Sequence, residues 1–164
     1  MRRFLLTASL ALALSPLGAL AQTSGSEVLN LGAVDGLLAK GDKEASSGNL
    51  PEAIRSYDKA RNTSRTLLSF YRDLGGAFRG LDARIPRDMD QKGRESIEKL
   101  AQANLRLAAA YRRQNQSEVA VPLLVEVVKL MTPSTADGRK AYQQLVEIGF
   151  VSTPYSAPAA PAAN

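Results

Sequence analysis

Apolar residues recur at intervals of three and four through most of this chain, and no stretch alternates with a period of two for long enough to indicate a sheet. The clearest example lies in the middle of the chain, at Leu100, Ala103, Leu105, Leu107, Ala108 and Tyr111. This spacing is typical of a helix that is buried over a wide face. The pattern therefore predicts an all-α domain.

Local residue chemistry predicts several helix ends. Pro51 fits the first turn of a helix that follows Asn49, because the first N–H groups of a helix need no partner within it. Gly48 can adopt the positive φ that ends the helix before. Ser117 is expected to cap a later helix, which Pro133 stops.

The boundary between a long second helix and a long third one is predicted at Pro86, with Asp88 and Asp90 as caps and dipole partners of the third helix. A last helix is expected over 136–148, with Ala141, Tyr142, Leu145 and Ile148 on one face. The sequence thus predicts five helices that start near residues 31, 51, 89, 117 and 135.

The first 21 residues predict a secretory signal peptide. Arg2 and Arg3 precede an apolar run from Phe4 to Leu14, and Ala19 and Ala21 form a small-residue cleavage motif. The run is short for a membrane span, which favours cleavage over an uncleaved anchor. We expect export to the periplasm or the cell exterior, or to a thylakoid lumen in a photosynthetic source, with no stable membrane anchor after cleavage.

The ends of the remaining chain have little helical periodicity. Residues 22–30 are interpreted as a flexible entry segment, and residues 150–164 as a disordered tail rich in proline and alanine. The helical domain is therefore expected over 31–149.

The composition narrows the classes of function. The chain has no cysteine, which excludes a lipid anchor on cysteine and any disulfide. It has 21 basic residues, two of them in the leader, against 16 acidic ones, and this small excess is weak for a nucleic-acid binder. Histidine is absent as well, so the commonest general base and the preferred zinc ligands are missing. No catalytic residue, cofactor or metal site is predicted.

Two short patterns that suggest chemistry are weak. Ser56 and Lys59 have the S-x-x-K spacing of penicillin-recognising enzymes, but no partner motif follows. The stretch that contains Asp88 and Asp90 resembles a calcium loop, but Lys92 and Lys99 occupy liganding positions. A hydrolase built on Ser56 and Lys59 remains a remote alternative.

Comparison of the chain with itself at a shift of 67 residues aligns small residues with one another. The paired positions are Gly41 with Ala108, Ala53 with Ala120, Tyr57 with Leu124, and Ala60 with Val127. Small residues at such positions let two antiparallel helices cross closely, and a large apolar residue follows one turn later.

These residues resemble the tetratricopeptide repeat, a helix-turn-helix of about 34 residues. The resemblance covers roughly Gly32 to Pro133 in three stretches. The matching residues are Gly41, Ala53, Tyr57 and Ala60 in the first stretch, Tyr71, Leu74, Gly75 and Phe78 in the second, and Leu107, Ala108, Tyr111, Ala120, Leu124 and Pro133 in the third. Lys40, Glu44 and Asn104 depart from the pattern, and the middle stretch has no clear second helix. The resemblance implies a short right-handed stack of antiparallel helix pairs with a C-terminal capping helix; a plain helical bundle is the alternative.

In this family the first helix of each pair lines a concave face that binds protein segments. By resemblance, the residues of that face would be Arg72, Arg79, Gln102, Leu105, Arg112 and Arg113. Guanidinium groups match carboxylates in geometry, so an acidic segment or a free C-terminal carboxylate would suit such a groove, although a solvated charged face is an equal alternative. The sequence therefore predicts a non-catalytic scaffold or assembly adaptor outside the cytoplasm; a self-associating subunit of a complex, a homo-oligomer, is the second interpretation.

Overall fold

The computed structural model describes residues 29–156, which form five helices and no strands. They are α1 (Leu31–Ser46), α2 (Leu50–Ala77), α3 (Arg84–Arg113), α4 (Ser117–Met131) and α5 (Ala136–Glu147). The predicted all-α class and the predicted number of helices are thus confirmed for this range. The predicted signal peptide, residues 22–28 and residues 157–164 lie outside the described residues.

Each helix packs against the next along the chain, and α2 and α3 share the longest contact. In addition, α1 contacts α3, and α3 contacts α5. α3 therefore contacts all four other helices.

The core lies where α3 meets its neighbours. Leu107 of α3, Leu124 and Val127 of α4, and Val34 of α1 are among the largest fully buried side chains. All eight residues paired by the shift of 67 are buried. At one of them, Gly41, an added Cβ would overlap the ring of Tyr57, so a close crossing of α1 and α2 requires glycine there.

The turn between α1 and α2 forms as the sequence predicts. Gly48 has a φ of 84°, and the side chain of Asn49 accepts a hydrogen bond from the Glu52 amide at 3.5 Å. Pro51 lies in the first turn of α2, where its missing N–H leaves no acceptor unpaired.

The predicted boundary at Pro86 is wrong by several residues. α3 begins at Arg84, so Pro86 lies within its first turn rather than before it. Asp88 and Asp90 consequently lie inside the helix and cap nothing, and Asp88 pairs instead with Lys92 at 3.1 Å.

Ser117 does not cap α4 as predicted. It is the first residue of the helix, and no side-chain hydrogen bond caps this end. The end of α4 at Met131 agrees with the sequence, and Thr132, with a φ of 55°, turns the chain before Pro133.

The predicted middle repeat does not form a separate pair of helices. α2 runs without a break through residues 50–77, so the second helix of the first predicted unit and the first helix of the middle unit are one helix. α3 likewise joins the second half of the middle unit to the first helix of the third. Leu74, which the sequence predicts as a packing residue, is 48% exposed, whereas Gly75 is buried against Met89.

The chain beyond α5 continues to pack against the domain. Val151 lies against the core, and the Tyr142 hydroxyl of α5 donates to the Thr153 carbonyl at 2.8 Å. The rings of Tyr142 and Tyr155 meet edge to face with centroids 6.3 Å apart. The tail predicted from residue 150 therefore has ordered contacts over 150–156.

Candidate functional site: a cleft between α3 and α5

A cleft of about 310 Å³ lies between α3 and α5. Its lining residues are Gln102, Leu105, Arg106 and Ala109 from α3 and Asp137, Lys140 and Gln144 from α5. We call it the α3–α5 cleft. Gln102 and Leu105 belong to the groove predicted from the sequence.

The α3 wall follows from helical periodicity. Gln102, Leu105, Arg106 and Ala109 are spaced by three, four and seven residues and so share one face of the helix. Leu105 is 7% exposed and forms part of the core, whereas Ala109 is exposed. The α3 wall therefore has a buried apolar residue, Leu105, at its base and an exposed one, Ala109, at its edge.

The α5 wall is held in place at its first turn. The Thr135 hydroxyl accepts a hydrogen bond from the Gly138 amide at 3.1 Å and so caps α5. Gly138 is buried against the Thr132 carbonyl, where a Cβ could not fit. The turn after α4 thus sets the position of Asp137 and Lys140.

Arg106 is anchored by α1 at the edge of the cleft. Its Nε donates to the Asp42 carboxylate, with distances of 2.9 and 3.2 Å to the two oxygens. The Tyr57 hydroxyl of α2 donates to Asp42 Oδ1 at 2.7 Å. Asp42 of α1 therefore holds the guanidinium and is itself held by Tyr57 of α2.

This arrangement shifts the pKa values of Asp42 and Tyr57. Burial alone would raise the pKa of Asp42, but the bonds from Arg106 and Tyr57 outweigh it and hold the pKa below its ordinary value. Burial, and then the bond to the Asp42 carboxylate, raise the pKa of the Tyr57 hydroxyl. Asp42 therefore remains ionised and Tyr57 protonated at neutral pH, so Arg106 faces an anion at that pH.

The predicted arginine pair at the end of α3 bonds to other helices of the domain. Arg112 donates to Gln144 Oε1 at 3.3 Å and to Glu147 Oε2 at 3.1 Å, which ties α3 to α5 at one end of the cleft. Arg113 donates to the Ala45 carbonyl at 3.2 Å, in the last turn of α1. These arginines hold the odd-numbered helices together in the structure.

The remaining two predicted groove residues lie elsewhere. Arg72 lines a hollow between α2 and the first half of α3, beside Met89 and Arg94. Arg79 is exposed in the turn after α2. The structure therefore brings together Gln102, Leu105 and, through Gln144, Arg112, but not Arg72, Arg79 or Arg113.

Five residues of the cleft are not among those predicted from the sequence: Arg106, Ala109, Asp137, Lys140 and Gln144. Arg106 and Ala109 share a helical face with Gln102 and Leu105, so helical spacing alone could have added them. The three residues of α5 depend on how α5 docks against α3, for which the sequence contains no local signal.

The weak chemical patterns can also be placed. The Ser56 hydroxyl is buried and donates to the Glu44 carboxylate at 2.7 Å. Within residues 29–156, no group of three or more acidic residues is arranged to hold a metal ion.

No helix in this same range is long and apolar enough to cross a membrane. Comparisons with models of protein families, with curated proteins and with solved structures found no match for this chain.

Proposed function

We propose that the protein is a non-catalytic scaffold or assembly adaptor that binds a polypeptide segment in the α3–α5 cleft, outside the cytoplasm. The observation that carries the proposal is the composition of the cleft walls. Gln102 and Gln144 can each donate and accept hydrogen bonds, as a polypeptide main chain requires. Lys140 adds a charge that can orient an acidic side chain or a C-terminal carboxylate.

The relation to tetratricopeptide repeats is part of this proposal. Two features support it. The shift of 67 residues aligns α1 with the second half of α3 and the first half of α2 with α4, with all four pairs of aligned positions buried. In addition, α3 contacts both α1 and α5. In such a stack, these three helices would line the concave face. The proposed location outside the cytoplasm rests on the leader sequence.

Self-association is the second candidate function. Phe70 and Leu74 of α2, and Leu81 in the turn that follows, are 49%, 48% and 78% exposed, and they follow one another at intervals of four and seven residues. Phe70 and Leu74 lie one turn apart on α2, and exposed apolar side chains of this size favour contact with another chain. Sedimentation over a range of concentrations distinguishes this candidate, because a scaffold that acts alone sediments as a monomer.

Capture of the partner tests the primary proposal. The protein serves as bait in the extracytoplasmic fraction of its source, beside the variant Ala109→Arg, which places a long cation in the cleft. Ala77→Arg is the matched control, because Ala77 is also an exposed helical alanine but lies outside the cleft. We expect the unmodified bait and Ala77→Arg to retain the same protein and Ala109→Arg to lose it. Retention of that protein by all three baits would contradict the proposal.

A further inference from the structure

A second groove, of about 590 Å³, lies between α1 and α2. Its α1 wall includes Ala33, Gly36, Leu37 and Lys40, and its α2 wall includes Arg55 and Lys59. We call it the α1–α2 groove. It is separate from the α3–α5 cleft and shares no lining residue with it.

The internal repeat shows what the corresponding surface does in the second half of the domain. At the shift of 67 residues, Gly36 corresponds to Ala103 of α3 and Leu37 to Asn104. Ala103 and Asn104 are both fully buried, and α2 is the helix that shares the longest contact with α3. The surface of α3 that corresponds to the α1 wall is therefore one on which another helix is seated.

The charged contacts across that interface are also specific. Glu126 of α4 accepts hydrogen bonds from Arg61 at 3.1 Å and from Arg65 at 2.6 Å, both of α2. It also accepts one from the buried Asn104 at 3.0 Å. Two cations on the seated helix thus meet one anion on the surface that receives it.

The corresponding position in the α1–α2 groove has the opposite charge. Glu126 aligns with Lys59, and Lys40 and Arg55 add two further cations to the lining, against the single acid Glu52. All three cations already have partners: Arg55 pairs with Glu52, Lys40 lies 3.8 Å from Glu44, and Lys59 is also engaged. The side chains of Lys40 and Arg55 are largely exposed, and ion pairs at exposed positions contribute little, so carboxylates of a docked helix can compete for them. A helix seated here would therefore need acids where α2 has Arg61 and Arg65.

The groove also has room for a docked helix to approach α1 closely at Gly36. A Cβ added at Gly36 would meet no atom within 4 Å, so the wall is open at the position that aligns with the buried Ala103. Leu37 is partly buried, and Leu29, 45% exposed, adds apolar surface at one end.

We propose that the α1–α2 groove is a docking site for an acidic amphipathic helix of a partner protein. The helix packs on Gly36 and Leu37 as α2 packs on α3, and its carboxylates pair with Lys40, Arg55 and Lys59. This inference goes beyond the binding function proposed for the α3–α5 cleft, because it concerns another surface and a partner in another conformation.

A peptide made from the chain itself provides the probe. It consists of residues 56–70, the part of α2 that carries Arg61 and Arg65, with both arginines replaced by glutamate. The unaltered peptide is the control. Binding of each labelled peptide to the full chain is measured by fluorescence anisotropy at low salt, and we expect roughly ten-fold tighter binding of the glutamate form.

Two matched glycine variants locate the binding. Gly36→Trp fills the groove, whereas Gly76→Trp adds the same side chain to another helical glycine that has no atom within 4 Å of an added Cβ. We expect Gly36→Trp to weaken binding of the glutamate peptide roughly ten-fold or more and Gly76→Trp to leave it unchanged. Ala109→Arg in the α3–α5 cleft should also leave it unchanged, which separates this test from that of the proposed function.

Three outcomes would overturn the inference. The first is equal binding of the two peptides, or no binding of either up to about 1 mM. The second is binding that Gly36→Trp does not weaken. The third is self-association of the full chain that Gly36→Trp abolishes, because the groove would then receive a second copy of this chain.

Discussion

Arg65 of α2 donates a hydrogen bond to Glu126 of α4 at 2.6 Å, although the backbones of these two helices do not contact each other. Arg61 reaches the same carboxylate, and the buried Asn104 of α3 completes the set. Burial alone would raise the pKa of Glu126, but the bonds from Arg65 and Arg61 outweigh it and hold the pKa below its ordinary value of 4.5. A single carboxylate thus connects three helices.

Replacement of Glu126 by glutamine should destabilise the protein by about 1–3 kcal/mol at pH 7, because two arginines and a buried amide lose their common anion. Since the folded pKa of Glu126 is depressed, its stabilising effect is present above pH 4.5 and is lost as the pH falls through the folded pKa. Urea unfolding between pH 7 and pH 3 should therefore show a shallower loss of stability for Glu126→Gln than for the unmodified protein.

Glu118→Gln is the control for this prediction, because Glu118 is an exposed carboxylate at the start of the same helix. Its removal should change the stability by about 0.5 kcal/mol or less. Equal effects of the two substitutions on the free energy of unfolding would show that the bonds around Glu126 stabilise the protein no more than an exposed carboxylate does.

Gly41→Ala should destabilise the protein by about 1–3 kcal/mol, because the new methyl group overlaps the Tyr57 ring. That ring cannot withdraw, since it is 3% exposed and its hydroxyl is bound to Asp42. Gly36→Ala, in the same helix with open space above it, should instead stabilise by up to about 1 kcal/mol through helix propensity. Thermal unfolding should shift in opposite directions for the two variants; a shift in the same direction would argue against the close crossing.

Gly138→Ala should cost about 3 kcal/mol or more, because the added Cβ would collide with the Thr132 carbonyl, which is backbone and cannot rotate away. The loss should be concentrated in α5, which forms one wall of the cleft. Hydrogen exchange is the suitable measurement: amides of α5 should exchange faster, while those of α1 and α2 keep their protection. Unchanged exchange in α5 would mean that the turn after α4 does not hold it.

Arg112→Glu should loosen the end of the cleft, because it places a second carboxylate beside Glu147. The pair is partly exposed, so we expect a loss of about 0.5–1 kcal/mol. Adding Glu147→Arg restores a pair of opposite charges, and the double variant should recover most of the loss in chemical unfolding. Additive losses would show that the two side chains do not interact. An experiment that replaces Arg112 to test partner binding would therefore also disturb the fold.

The helices themselves were predictable because their apolar spacing is a local property of the sequence. The starts of α1, α2, α4 and α5 fall within one residue of those expected. The start of α3 was predicted five residues late because proline was taken to separate two helices, whereas the first turn of a helix accepts it. The acid that bonds to the start of α3 is Asp82, whose side chain accepts a hydrogen bond from the Arg84 amide at 2.9 Å.

The candidate site was less predictable than the fold. Gln102 and Leu105 were predicted through the resemblance to the tetratricopeptide repeat, which assigns one face of the first helix of each pair to the groove. The sequence contains no sign, however, that Arg112 and Arg113 bond within the domain, since their partners lie 35 and 68 residues away along the chain. Long-range docking of α5 and α1 against α3 decides which arginines bond within the domain, and no local pattern encodes it.

The most direct test of the proposed scaffold function is site-specific photo-crosslinking in the source cell. A photoreactive amino acid replaces Ala109 in the α3–α5 cleft in one strain and Ala77, outside it, in another. We expect one discrete adduct with another protein from position 109 and none of that mass from position 77. An identical set of adducts from both positions, or an adduct from position 77 alone, would contradict it.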